Sequence, residues 1–106
     1  MRRSVLLAIF LVSALSFSTD IMNCSLISAP GSYVLTDDLV GAPISGIYQS
    51  CIRITASDVT LDCAGYTITN NGTTNPPMGT AGIEIGSFTS NVMVKNCGGI
   101  SSYDFA

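Results

Sequence analysis

Beyond residue 50 the chain alternates apolar and polar positions with a period of two, in short blocks rather than long runs. Ile52 and Ile54 fall on one side with Arg53 opposite, and Val59 and Leu61 oppose Thr60 and Asp62. Ile83 and Ile85 oppose Glu84, while Val92 and Val94 oppose Met93 and Lys95. Successive side chains of an extended strand point to opposite faces, so each block predicts a strand with one buried face. The blocks are separated by Gly, Asn, Ser and Asp, whose short side chains tolerate tight bends. Helical spacing over two turns occurs nowhere after the N-terminal segment. Asn70 to Gly79 predicts a long polar surface loop.

The blocks also recur. Ser57-Asp58-Val59-Thr60-Leu61-Asp62 aligns with Ser90-Asn91-Val92-Met93-Val94-Lys95 at an offset of thirty-three residues. Ile52-Arg53-Ile54 aligns with Ile83-Glu84-Ile85 at thirty-one, and Ile68 with Ile100 at thirty-two. The longer connection through Gly86-Ser87-Phe88 absorbs the difference between the first two offsets. A small antiparallel sandwich would join such strands by hairpins, whereas a parallel stack sets like upon like. Recurrence in one order favours the stack, because equivalent apolar positions then lie about 4.8 Å apart in an internal ladder. Stacking would set Arg53 beside Glu84 and Asp62 beside Lys95, both pairs of opposite sign.

Composition then bounds the function. The 106 residues allow one domain at most. The formal net charge is −3, and Arg2 and Arg3 apart, Arg53 and Lys95 stand against seven acidic side chains. Such a chain has no cationic footprint for a phosphate backbone, which excludes nucleic-acid binding. The absence of His excludes a Ser-His-Asp triad and His-ligated zinc. Arg2 and Arg3, the apolar run Val5 to Val12, and the small residues Ser13, Ala14, Ser16 and Ser18 form the three-part pattern of a secretory signal over residues 1–18. Cleavage is expected after Ala14 or nearer Ser18. The apolar run is shorter than the roughly 20 residues of a membrane span, so a membrane partner enters only if the segment stays uncleaved.

Export makes Cys24, Cys51, Cys63 and Cys97 an even set in an oxidising compartment, with two disulfides and three connectivities open. No Cys-x-x-Cys pair points to a thiolate metal site. Of the two glycosylation sequons, Asn71-Gly72-Thr73 lies in the expected loop and is the candidate acceptor, whereas Asn23 is followed by Cys24.

Pro30-Gly31-Ser32-Tyr33-Val34-Leu35, Cys51-Ile52-Arg53-Ile54, Val59 to Ile68 and Asn91 to Cys97 resemble the secreted right-handed parallel β-helix repeat proteins. The likeness is to the pectate-lyase-like superfamily, in the branch of archaeal surface proteins and NosD-type repeats. Ala64 and Tyr66 depart from the Asn and His that this family often carries in the turn after its Leu-Asp strand. The resemblance implies an all-β solenoid of about two coils: residues 19–50 as N-terminal cap and lead-in, residues 51–106 as coils. It implies an incomplete stack whose open end takes further coils or self-associates. Coils of about two dozen residues require an enlarged loop, which residues 70–79 supply. It also implies a Cys24–Cys51 bridge pinning the cap, which leaves Cys63 with Cys97. Strand parity, however, sets Asn96 rather than Cys97 over Cys63, so that bridge needs a bulge or a turn; the alternative is an interior Asn ladder beginning at Asn96.

Candidate chemistry is sparse, and no catalytic residue, cofactor or metal ligand is assigned. Asp37-Asp38 and Asp58 read as turns, and calcium would want six to eight converging oxygens. Asp62 and Glu84 face outward beside Lys95 and Arg53, so ion pairing explains them without a substrate. Met22, Met78 and Met93 are too scattered to hold copper(I). Tyr33, Tyr48, Tyr66, Phe88 and Tyr103 would stack on sugar rings only where several share one outer face. The expected function is a non-catalytic module, secreted or at the cell surface, that binds carbohydrate or builds cell envelope. The alternative is the N-terminal part of a polysaccharide lyase or glycoside hydrolase whose active site lies on further coils.

Overall fold

A computed structural model describes residues 17–72 and 79–105. Residues 1–16, which hold most of the expected secretory signal, and residues 73–78 of the expected polar loop lie outside the described residues. The described chain is all-β, with ten strands: β1 (Ser18–Ile21), β2 (Ser25–Ile27), β3 (Gly31–Leu35), β4 (Leu39–Val40), β5 (Gln49–Ile54), β6 (Val59–Asp62), β7 (Thr67–Thr69), β8 (Thr80–Ile85), β9 (Val92–Lys95) and β10 (Gly99–Ser101). They form three parallel sheets, ordered β1-β3-β6-β9, β4-β7-β10 and β2-β5-β8. From β3 onward the chain visits the sheets in a fixed rotation, so from β5 onward each strand pairs with the one three elements earlier.

The register follows the offsets in the sequence. Val59 pairs with Val92 and Asp62 with Lys95; Ile52 pairs with Ile83 and Arg53 with Glu84; Ile68 pairs with Ile100. Residues 19–50 add β2, β3, β4 and most of β1 to the same sheets, each paired in parallel. The inward positions of all three sheets meet in one apolar cluster that includes Leu35, Leu39, Ile52, Ile54, Val59, Leu61 and Ile68, all fully buried. Branched side chains suit such a pleated, crowded surface, and each buried Ile, Leu or Val contributes about 1.5–3 kcal/mol of apolar transfer.

The turns between strands are built from left-handed residues. Asp58 (φ 58°) and Asn91 (φ 56°) precede β6 and β9, and Asn91 donates its side-chain amide to the Asp58 carboxylate at 2.8 Å. The two turn residues read from the sequence thus stack as well as bend. Asp38 at the other turn accepts the Thr67 amide at 2.9 Å, which secures the start of β7.

Two disulfides join Cys24 to Cys51 and Cys63 to Cys97, with Cα separations of 4.5 and 4.6 Å. The parity conflict at Cys97 is resolved by Asn96, whose left-handed backbone (φ 58°) ends the alternation one residue after Lys95. Cys97 then turns inward, while Asn96 is exposed and donates to the Asp62 carboxylate at 3.1 Å. This corrects the expectation of an interior Asn ladder: a left-handed residue cannot keep its side chain in the strand's inward row. Asp62 likewise serves the turn more than it serves Lys95. Its carboxylate accepts the Ala64 amide at 2.8 Å, and that bond, with the one from Asn96 and a weaker pull from Lys95, holds its pKa below the ordinary carboxylate value.

Candidate functional site

The outer face of the β2-β5-β8 sheet carries a groove of about 530 Å³ between two loops. One wall comes from Ile47 and Tyr48, ahead of β5, and the other from Gly86 to Thr89, after β8. Arg53, Thr55, Glu84 and Ile85 line the groove between them.

Register makes the polar pair at its base. Arg53 and Glu84 are direct cross-strand neighbours on β5 and β8, and the Arg53 Nε lies 3.8 Å from the Glu84 Oε2. That separation is an ion pair too long for a hydrogen bond. The guanidinium also donates to the Ser45 carbonyl at 3.1 Å, and Ser50 donates its hydroxyl to the Glu84 Oε1 at 3.4 Å. Glu84 is 9% exposed, although strand alternation reads it as outward. The reason is Gly46: the backbone of the loop before β5 passes directly over the pair. A Cβ at that position would stand 2.8 Å from the Glu84 Oε1 and 2.9 Å from the Arg53 Cζ, so any other residue here would push the ends of those two side chains aside. Arg53 Nε is buried and has no hydrogen-bond partner among the described residues.

The apolar rim is exposed. Phe88 is fully exposed, Ile47 is 56% exposed and Ile85 is 48% exposed. Tyr48 is half-buried, and its ring lies 4.8 Å from that of Phe105. Of the five aromatic residues singled out in the sequence, Tyr48 and Phe88 therefore share the groove. Tyr33 packs against the core and donates to the Ala29 carbonyl at 2.7 Å. Tyr103 donates to the Gly41 carbonyl at 2.6 Å, and burial pushes its pKa up to about 12. Tyr66 sits at the turn after Gly65, away from the groove.

Cys24, Cys51, Cys63 and Cys97 are all in disulfides, which is consistent with an extracellular location. Asn71 lies exposed after β7, with Thr73 of its sequon outside the described residues. Among the described residues no group of three or more Cys, Asp or Glu side chains converges to hold a metal ion, and no helix is long and apolar enough to cross a membrane. Sequence reasoning identified Arg53 and Glu84 as neighbours but did not associate Ile47, Ser87 or Thr89 with them, since loop residues carry no periodic signal. Compared with known proteins, the chain matches no family model, no curated protein and no solved structure.

Proposed function

We propose that the chain is an exported, non-catalytic binding module of right-handed parallel β-helix architecture that holds carbohydrate in the groove over Arg53 and Glu84. The architecture is supported by the rotation of strands through three parallel sheets and by in-register pairing at offsets near thirty-two residues. Export is supported by the N-terminal charge and apolar pattern and by the two disulfides.

The observation that carries the binding reading is the pairing of an apolar rim with a donor–acceptor base in one groove. A sugar ring offers an apolar C–H face and a periphery of hydroxyls, each able to donate and accept. Tyr48, Phe88, Ile47 and Ile85 suit the first, and Arg53, Glu84, Thr55, Ser87 and Thr89 suit the second. Hydrolysis by paired carboxylates would need a second acid at about 5–9.5 Å, and among the described residues Glu84 is the one carboxylate in the groove lining.

Glycan-array binding by the full chain, followed by a reducing-end assay on the glycans it retains, tests the proposal. Retention without cleavage is expected. Products released from a retained glycan would overturn the non-catalytic reading, and no retention of any glycan would overturn the carbohydrate reading.

A further inference from the structure

We infer that the groove selects a neutral saccharide with adjacent free hydroxyls and rejects a polyuronate, an inference that rests on the carbohydrate reading above. The base of the groove is charge-neutral, because Glu84 sits 3.8 Å from the Arg53 guanidinium. A sugar carboxylate seeking Arg53 would have to approach the Glu84 carboxylate, with repulsion sharpened by its burial. Arg53 and Lys95 are the cations among the described residues, and Lys95 lies on β9, in a different sheet from the groove. The whole chain is negative at −3, so the long-range field also disfavours a polyanion.

A vicinal diol meets the same site without that conflict. One hydroxyl donates toward the Thr89 Oγ1, whose own proton goes to the Gly86 carbonyl, while its neighbour accepts from Arg53 or from the Ser87 hydroxyl, all of which line the groove. The C–H face of the ring then lies against Phe88, whose side chain is fully exposed at the rim. Affinity in such an arrangement comes from stacking and from hydrogen bonds to a ligand that carries no charge, so added salt leaves it unchanged, whereas a uronate held by a guanidinium would be released.

Affinity electrophoresis of the full chain through gels containing galactomannan, laminarin or polygalacturonate, at low and high salt, tests this. Retardation by a neutral polymer, equal at both salt levels and absent with polygalacturonate, is expected. Phe88→Ala changes only an exposed rim side chain and should weaken that retardation by about five- to tenfold. Glu84→Gln leaves the Arg53 charge unbalanced and should introduce salt-sensitive retardation by polygalacturonate. Retardation of the unaltered chain by polygalacturonate would overturn the neutral-sugar inference while leaving carbohydrate binding standing. Retardation by none of the three polymers would overturn the inference, and only an equally empty glycan array would carry the carbohydrate reading down with it.

Discussion

Replacing both Cys63 and Cys97 by Ala tests how far cross-linking of the unfolded chain stabilises this small sheet assembly. The bridge spans 34 residues, and the loop-closure relation gives about 3.8 kcal/mol at 25 °C for that length. The Cys24–Cys51 bridge spans 27 residues and gives about 3.6 kcal/mol by the same relation. Logarithmic dependence on length makes the two nearly equal, although one joins the turn after β6 to the turn after β9 and the other joins the turn after β1 to β5. Domains of this size are held by only about 5–15 kcal/mol, so either loss is a large share of the total. Urea unfolding of the oxidised chain and of the two double-Ala variants, followed by circular dichroism, measures both. Each variant should lose about 3–4 kcal/mol, with a steeper denaturant slope because the unfolded chain, freed of one cross-link, exposes more surface. A loss below about 1 kcal/mol for Cys63→Ala/Cys97→Ala would refute the entropic argument and leave native packing as the source of stability.

Leu61→Ala empties a fully buried position between Tyr33 and Val94 in the β1-β3-β6-β9 sheet and should cost about 2–5 kcal/mol in the same urea assay. Ala64 holds a left-handed backbone (φ 52°) on the surface, so Ala64→Gly should raise the thermal midpoint through relief of about 1 kcal/mol; an unchanged or lower midpoint would count against strain at that turn. Asp62 has a lowered folded-state pKa, so its contribution is complete above the ordinary carboxylate pKa and disappears as pH falls through the folded value. Asp62→Asn should therefore flatten the acid limb of the stability–pH curve while leaving its alkaline limb in place.

The sequence by itself determined strand positions and register for β5, β6, β8 and β9. Stacked parallel neighbours occupy equivalent environments, so Val59 and Val92, or Ile52 and Ile83, are selected for the same burial and leave an offset visible in one chain. The pairing of Arg53 with Glu84 was legible for the same reason. It also restricted the turns, since Asp58 and Asn91 suit left-handed backbone. Tertiary structure decided what strand periodicity cannot encode. The left-handed backbone at Asn96 overrode strand parity and turned Cys97 inward, and the passage of Gly46 over β5 and β8 buried a glutamate that alternation reads as outward. The groove itself is of this kind: Tyr48 and Phe88 are forty residues apart and belong to loops whose paths are set by the strands beneath them. Burial along a strand repeats with the pleat and so prints a period on the sequence, whereas a loop's contacts are made once and print none.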